Sequence, residues 1–471
     1  MLGNDGAAAA IRLARDAPLH STLDVADPDD WLALDAGVRK VAWYHPQSLP
    51  DWEHSAPLPA DLGRLGESRL ALALCHRDGR IRKEALRESA RYPGLLPLVV
   101  IRCADWAEPV RERARKSLDE ALGVDSAVGL APFILRLGRR DRGAFGVGVL
   151  EGVLRQASLE QLAVLFGDPD RIVRRFAYRL ALEGGLLSPV ELARAAARDA
   201  DSVVQDLCAT AALATLGHEG AYEDVLPALL SARNPRTRSA GVTGLRQAGW
   251  PKRAESFLGD RSALVRACAR YVVRQHGGDP TAWYRDRCSS PDDPALPPGA
   301  VIGLAECGNR ADAELLRPLL AHRAEGVRAR AVAGLRVLDC VVVEQLRPLL
   351  DDPAAAVVRE TAVALLPSAR ELPADWLLQR TGSERPRHVR VGAFRLLDAR
   401  GGIVTLRAAV GLLDDPDAKL RTWAGQSVQR WHPSADVRGC EAEVGQLLDR
   451  SRHLFSDYVL RRRKWQAGVS S

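Results

Sequence analysis

The chain has 471 residues, of which 46% are hydrophobic and 27% charged, a balance that predicts folded domains rather than disorder. Its net charge of +6 arises from 66 basic residues interspersed with 60 acidic ones, so charge alone is weak evidence for a nucleic-acid partner. No apolar run reaches the roughly 18 residues that a membrane span needs, and Arg12 and Arg15 interrupt the apolar start. We therefore expect a cytoplasmic protein with no membrane span.

Signatures of metal and cofactor sites are missing from the sequence. The eight cysteines lie far apart and never form a Cys-x-x-Cys pair, which favours reduced thiols over disulfides or zinc ligation. Gly146, Gly148 and Gly152 imitate a dinucleotide-binding fingerprint, but no strand is predicted before them. Motifs of zinc peptidases, serine hydrolases and phosphate-binding loops do not occur either. We predict no metal and no cofactor, and no catalytic residue is identified.

A repeated pattern organises the chain: an apolar residue is followed by Arg and then, four positions after the apolar residue, by a small residue. Val173, Arg174 and Ala177 show the pattern, and the spacing between successive units clusters at 31 residues. The first positions of the thirteen units are Val38, Ile81, Val110, Asp141, Val173, Val204, Thr237, Val265, Leu296, Val327, Val358, Val389 and Leu420. Such regularity predicts a repeat protein.

Each unit predicts two helices. In the first, positions 0, +4 and +7 or +8 fall on one helical stripe, and the small residue at +4 lets neighbouring helices approach closely. Asp-Pro or Asn-Pro often precedes it, as at Asp168-Pro169 and Asp415-Pro416, which predicts capped helix starts. A break and a second apolar stretch follow, as in 189–197.

This pattern resembles the short bacterial HEAT-like repeats, also called PBS-lyase HEAT-like, over residues 27–450. The resemblance implies an all-α fold, a right-handed α-solenoid of about thirteen HEAT-like helix pairs. It says little about activity, because this repeat class includes adaptors, regulatory subunits, bilin lyase subunits and, in divergent form, some DNA glycosylases.

Proline-rich stretches interrupt the repeat at two places and suggest the domain organisation. Pro297 replaces the repeat Arg in the second of these stretches, which we interpret as a bend. The predicted parts are an N-terminal arc over 1–278 with a Pro-rich loop near 46–60, a degenerate repeat or bend over 279–298, a C-terminal arc over 299–450, and a capping segment with a basic tail over 451–471.

Eleven of the thirteen units carry the repeat Arg, which forms a ladder along the chain. The clearest members are Arg174, Arg266, Arg328, Arg359, Arg390 and Arg421. Regularly spaced cations are compatible with contacts to a phosphate backbone. The favoured interpretation is structural, because each Arg lies beside a buried position and close to a turn that offers a carboxylate or a free carbonyl.

Two basic clusters are candidate contacts for nucleic acid or an acidic partner. The first contains Arg136, Arg139 and Arg140, for which a solvated helix end is the favoured interpretation. The second, Arg461, Arg462, Arg463 and Lys464, precedes an aromatic residue; it is interpreted first as part of a capping helix that docks through Phe455, Tyr458 and Leu460.

Four tryptophans, Trp52, Trp106, Trp283 and Trp376, are candidate anchors for a partner, although packing between repeats is the favoured interpretation. The leading functional prediction is a noncatalytic scaffold or adaptor that binds an unidentified protein through its concave face or loops. The alternative is a nucleic-acid-binding protein, possibly a DNA glycosylase, for which Asp105 and Trp106 have suitable chemistry. A lyase or chaperone subunit for chromophore attachment follows from the resemblance alone.

Overall fold

The computed structural model describes residues 5–44, 46–49, 62–216, 220–433 and 437–469. All regular secondary structure in these ranges is helical. The chain forms two compact units, Met1–Thr237 and Arg238–Ser471. The Pro-rich loop predicted near 46–60, including Trp52, falls largely outside the described residues.

The first unit contains fourteen α-helices before the boundary helix, as counted over the described residues. They are α1 Gly6–Ala14, α2 Leu19–Thr22, α3 Pro28–Tyr44, α4 Glu67–Leu74, α5 Gly79–Glu88, α6 Leu96–Arg102, α7 Glu108–Ala121, α8 Val124–Leu137, α9 Ala144–Leu154, α10 Leu159–Phe166, α11 Arg171–Glu183, α12 Pro189–Arg198, α13 Ser202–Ala214 and α14 Tyr222–Leu230. The boundary between the units lies within α15, Pro235–Gln247.

The second unit continues with thirteen α-helices in the part of the chain that the structure describes. They are α16 Ala263–Gln275, α17 Pro280–Cys288, α18 Pro298–Cys307, α19 Ala313–Leu316, α20 Glu325–Val337, α21 Val343–Leu346, α22 Ala355–Ala364, α23 Ala374–Gln379, α24 Arg387–Arg400, α25 Gly402–Gly411, α26 Ala418–Arg430, α27 Glu441–Arg450 and α28 Asp457–Gln466.

Equivalent helices of neighbouring repeats stack on one another inside each unit. In the first unit α5 packs on α7, and α7 packs on α9; in the second unit α18, α20, α22 and α24 form a continuous series. The stacking buries the apolar stripe of each helix between its neighbours. An all-α chain of stacked HEAT-like helix pairs is therefore confirmed.

The small residue at the fourth position after the apolar residue marks the closest packing. Ten units carry Ala there, and nine of these alanines are at most 1% exposed, whereas Ala42 is partly exposed. Ala331, for example, is completely buried, together with Val327 at the start of its stripe. A larger side chain at such a site would force the stacked helices apart.

The helix starts differ in detail from the sequence prediction. Asp170, not Asp168, caps α11 by accepting a hydrogen bond from the Ile172 N–H, while the Asp168 carboxylate accepts one from the Asp170 N–H at 2.7 Å. Before α26, the Asp415 carboxylate likewise accepts a hydrogen bond from the Asp417 N–H, and Asp417 caps the helix. The Asp-Pro pair therefore shapes the turn, and the next residue caps the helix.

The second helix of several repeats is short in the second unit. Residues 341–352 form α21 and then a 3-10 turn over Arg347–Asp351, and α19 is followed likewise by a 3-10 turn over Pro318–Ala321. Each 3-10 turn has a proline in its first two positions, where the missing N–H costs little.

The N-terminal helix α1 crosses α3 at very short range. Gly6 and Gly37 face each other at the crossing: a Cβ atom on Gly37 would lie 2.1 Å from the Gly6 carbonyl carbon, and one on Gly6 would lie 1.7 Å from the Ala33 carbonyl oxygen. Only glycine permits this approach. The crossing attaches α1 to the start of the repeat array.

The degenerate segment predicted over 279–298 contains α17 followed by a turn. Tyr284 is fully buried, and its hydroxyl donates a hydrogen bond to the Leu258 carbonyl at 2.9 Å. The bend at this segment stays a prediction. Within the described ranges, no helix combines the length and apolar character needed to cross a membrane.

Candidate functional site

The repeat Arg reaches two turns at once. Arg328, on α20, donates two hydrogen bonds of 2.8 Å to the Asp352 carboxylate and one of 2.9 Å to the His322 carbonyl. It therefore connects the turn before its own helix with the turn after the next one. The same carboxylate pairing joins Arg82 to Asp105, Arg174 to Asp199 and Arg238 to Asp260.

At two of these turns the Asp binds the arginines of two successive repeats. The carboxylate of Asp260 accepts hydrogen bonds from Arg238, while its backbone carbonyl accepts one from Arg266, the Arg of the following repeat, at 2.7 Å. Asp105 has the same double role between Arg82 and Arg111. At these two turns, a side-chain bond to one arginine and a backbone bond to the next connect successive repeats.

Electrostatics at these turns favour the charged carboxylate. Burial alone would raise the pKa of Asp352, but hydrogen bonds from Arg328 and from the Ala354 N–H outweigh it and lower the pKa below its ordinary value. Burial would likewise raise the pKa values of Asp105 and Asp260, but their hydrogen bonds outweigh it and lower both. These carboxylates and their arginines are internal partners of each other.

The other predicted ladder members vary in their contacts. Arg390 pairs with Asp415, and Arg266 pairs with Glu306 rather than with an Asp. Among the described residues, Arg421 donates only to backbone carbonyls, those of Asp415 and Pro416. Arg359 stands apart, because its side chain is 65% exposed and its ion pair is with the adjacent Glu360 at 3.4 Å.

Asp105 and Trp106, the pair considered for base excision, occupy opposite environments. The Asp105 side chain is 1% exposed and accepts hydrogen bonds from Arg82 and Arg102. Trp106 is 69% exposed, and its ring lies 5.6 Å from the Arg82 guanidinium carbon. The carboxylate is enclosed by cations of its own chain, and only the indole faces solvent.

Trp376 and Trp283 are half-buried. Trp376 lies between two guanidinium groups, with Arg380 at 3.7 Å and Arg347 at 4.8 Å from the ring centroid. Trp283 packs edge-on against Tyr284 at 5.2 Å. The Arg347 contact joins Trp376 to a separate element, whereas the contact of Trp283 with Tyr284 lies within α17. The roles of both tryptophans stay predictions. Trp52 lies outside the described residues, so its role stays a prediction.

The first basic cluster follows the end of α8. Arg136 forms an ion pair with Asp29, whereas Arg139 and Arg140 are exposed on the turn that leads to α9. The turn also contains Arg142 in a left-handed conformation, with φ of 64°. Two cations of the predicted cluster thus remain open to solvent.

The second basic cluster lies on α28 and divides into two faces. Arg463 donates hydrogen bonds to the carbonyls of Gln429 and Trp431 at the end of α26, and Lys464 pairs with Asp449 at 2.7 Å. Arginine at a helix C-terminus satisfies carbonyls that have no intrahelical partner. These two cations attach α28 to the end of the array.

The opposite face of α28 carries an exposed stripe, which we call the terminal stripe. Tyr458 is 67% exposed and Trp465 is 79% exposed, and the exposed Arg461 and Arg462 lie between them. The spacing i, i+3, i+4 and i+7 places all four on one helical face. Neither arginine forms an ion pair or hydrogen bond within the described chain.

The sequence prediction placed Tyr458 on the docking side of this segment, and the structure places it on the solvent side. The sequence did contain a signal for the stripe: Tyr458 and Trp465 lie seven residues apart, and residues at this spacing share a helical face.

Among the described residues, no group of three or more His, Cys, Asp or Glu side chains is arranged to hold a metal ion.

Comparisons with known proteins give limited help. No family model and no curated protein matches the chain. Among solved structures, it is similar to Escherichia coli YibA, at 15% identity over 60% of this chain and 96% of the other, with a TM-score of 0.25. The S. pombe condensin Cnd3-Cnd2 subcomplex matches at 14% identity, covering 90% and 71%, with a TM-score of 0.42.

A third structure, Kap121p, matches at 12% identity over 90% of this chain and 53% of the other, with a TM-score of 0.28. All three TM-scores lie below 0.5, so the fold assignment rests on the helix stacking within each unit.

Proposed function

We propose that this protein is a noncatalytic repeat scaffold that binds a protein partner, and that the terminal stripe is a principal contact. The observation that carries the proposal is the exposed face of α28, where Tyr458 and Trp465 flank two arginines that have no partner among the residues that the structure describes. Tyr, Trp and Arg are the residues most enriched among binding hot spots. Loops and second helices would supply the surrounding contacts.

The chemistry of the stripe indicates an acidic partner segment. Arg461 and Arg462 each present a planar guanidinium that can bind a carboxylate with two hydrogen bonds. Rings on both sides provide apolar area that stays rigid on binding, because an aromatic side chain has few rotatable bonds. A segment with Glu or Asp beside an apolar residue matches this arrangement.

The distribution of cations supports a protein over a nucleic acid. Of the seven cations predicted for nucleic-acid contact, Arg136, Arg463 and Lys464 bind groups of their own chain. Most of the repeat ladder is also occupied by internal carboxylates and carbonyls. Nucleic-acid binding without base contacts depends on many simultaneous phosphate contacts, and the four remaining cations supply few. These four are Arg139, Arg140, Arg461 and Arg462.

The regular spacing of 31 residues and the buried alanines support assignment to the short bacterial HEAT-like, or PBS-lyase HEAT-like, class. Members of a repeat class vary their surface while keeping the stacked core. A unique surface such as the terminal stripe is where a scaffold of this kind would differ from its relatives.

Affinity capture from the native cells tests the proposal. The tagged wild-type chain and the triple variant Arg461→Glu, Arg462→Glu, Trp465→Ala would each be purified with and without nuclease, and bound proteins identified by mass spectrometry. We expect a stoichiometric, acidic-segment partner that survives nuclease and is lost, by at least tenfold, from the triple variant.

The matched control is Arg139→Glu with Arg140→Glu, which changes two exposed arginines on the turn after α8. This variant should retain the partner. Equal capture by the wild type and the triple variant would remove the terminal stripe from the proposal, and recovery of nucleic acid without a stoichiometric protein would overturn the scaffold function.

A further inference from the structure

A separate cavity of about 440 Å³ lies in the first unit, among helices α5 to α8. Its volume is within the range of roughly 300–1,000 Å³ that is typical of small-molecule sites. The residues that decide its chemistry are Leu86, Tyr92, Leu96, Val99, Arg113 and Ser117. The carboxylate of Glu120 also lines the cavity, but its side chain is 61% exposed and lies 3.8 Å from the Lys116 ammonium rather than on Arg113. None of them belongs to the repeat ladder or to the terminal stripe.

One side of the cavity is apolar. Leu86 and Val99 are buried in the core, Leu96 is 9% exposed, and the Tyr92 ring forms part of the wall. The Tyr92 hydroxyl is directed to the Leu65 carbonyl at 3.3 Å, so the tyrosine offers mainly its ring to the cavity. Such a lining favours a ligand with a hydrocarbon or aromatic body.

The other side contains Arg113 and Ser117, one turn apart on α7. The Nε of Arg113 is buried and has no hydrogen-bond partner. No carboxylate forms an ion pair with this guanidinium in the described part of the chain, and the Ser117 hydroxyl has no hydrogen bond there. Both groups are donors without an acceptor.

Unlike Arg113, the other arginine that lines the cavity has a carboxylate partner. The Arg87 guanidinium binds the Glu84 carboxylate at 2.6 Å. A partly buried cation without a counter-charge loses hydration and gains no ion pair in return. An anion placed in the cavity would supply the missing partner.

We infer that the cavity binds a small carboxylate with an apolar body, whose carboxyl group is held by Arg113 and Ser117 and whose hydrocarbon part lies against Leu86, Leu96 and Val99. A carboxylate matches a guanidinium in geometry and charge. A cationic ligand would be repelled by Arg113, and a neutral one would leave it unpaired. The inference is independent of the proposed scaffold function, because it concerns different residues in the other unit.

Isothermal titration calorimetry with the full chain tests this inference. Sodium octanoate and sodium 4-phenylbutyrate are the probes, and octanamide is the neutral analogue of matched length. We expect octanoate to bind at least tenfold more tightly than octanamide, because a hydrogen bond to a charged group contributes more than a neutral one. Arg113→Gln should weaken octanoate binding about tenfold and leave octanamide binding within twofold.

Two further variants separate binding in the cavity from other effects. Ala121→Trp changes an exposed residue that lines the cavity, so it should block both ligands without unfolding the protein. Arg140→Gln, an exposed arginine elsewhere in the first unit, should change neither affinity. Melting temperatures of all variants would establish that each is folded.

The inference fails if octanoate and octanamide bind equally, if Arg113→Gln leaves octanoate binding unchanged, or if no probe binds. A peptide with an apolar C-terminal residue, tested with a free and with an amidated C-terminus, distinguishes a free metabolite from a protein terminus. Tighter binding of the free-acid peptide than of both small carboxylates would replace the small-molecule assignment.

Discussion

Arg82, inside the repeat array, and Arg461, on the last helix, have the same chemistry and opposite surroundings. The Arg82 side chain is 2% exposed and binds the Asp105 carboxylate and the His76 carbonyl, whereas Arg461 is exposed and has no partner among the described residues. The first arginine joins neighbouring turns of the stack. The second is open to solvent.

The reason is the position of each residue in the array. An interior helix has a neighbour on each side, so its polar groups find acceptors in the adjacent turns. Arg461 lies on a face of α28 that is exposed to solvent in the described part of the chain. Burial between stacked helices, rather than residue type, therefore decides whether an arginine of the described chain finds an internal partner.

The largest expected effect comes from removing the interior cation. Arg82→Met leaves the buried Asp105 with one of its two arginine partners and should lower the free energy of unfolding by about 3–5 kcal/mol. Urea denaturation followed by circular dichroism measures this. Arg461→Met is the control and should stay within about 0.5 kcal/mol of the wild type; a loss below about 1 kcal/mol for Arg82→Met would contradict the structural role.

A smaller effect is expected at Asp201, whose carboxylate pairs with Arg175 and caps α13. The Arg175 hydrogen bond lowers the pKa of Asp201 from 3.8 to about 2. Asn caps a helix as well as Asp does, so Asp201→Asn removes the charged acceptor of Arg175 rather than the cap, and it should cost about 1–2 kcal/mol at pH 7.

The lowered pKa of Asp201 also determines how its contribution to the free energy of unfolding changes with pH. Because the folded-state pKa is lowered, the carboxylate stabilises the fold above about pH 4, and this stability is lost as the pH falls through the folded pKa near 2. The stability difference between wild type and Asp201→Asn should narrow across that interval in urea titrations. A constant difference would show that charge at Asp201 is unimportant.

Arg359 tests whether membership of the ladder is sufficient for stabilisation. Its side chain is 65% exposed and contacts only the neighbouring Glu360 among charged groups of the described chain. Arg359→Ala should change the free energy of unfolding by less than about 0.5 kcal/mol, as exposed ion pairs do. A loss as large as that of Arg82→Met would mean that sequence position, not burial, sets the contribution.

The smallest expected effect on stability is at the terminal stripe. Arg462→Ala should leave the melting temperature of the protein unchanged, because this exposed side chain has no partner in the described chain. Partner capture should decrease in the same variant. A lowered melting temperature would instead assign Arg462 to the packing of α28.

The helical repeat was readable from the sequence, because burying one stripe of each helix imposes a period on apolar and small residues. Val327 and Ala331 show this directly: their spacing predicts one face, and both are buried. The sequence did not show which residue caps each helix. Asp168 and Asp170 are identical in type, and only the path of the backbone decides which of them accepts from the helix start.

The candidate sites depended even more on the tertiary structure. Consecutive cations such as Arg462 and Arg463 look alike in the sequence, yet one faces solvent and the other binds carbonyls of α26. Arg113 carried no sequence signal, because its importance comes from a cavity in which no carboxylate of the described residues pairs with it. Periodicity is a local property that the sequence by itself determines. Which polar groups find partners depends on residues far apart in the chain, and only their packing in three dimensions decides it.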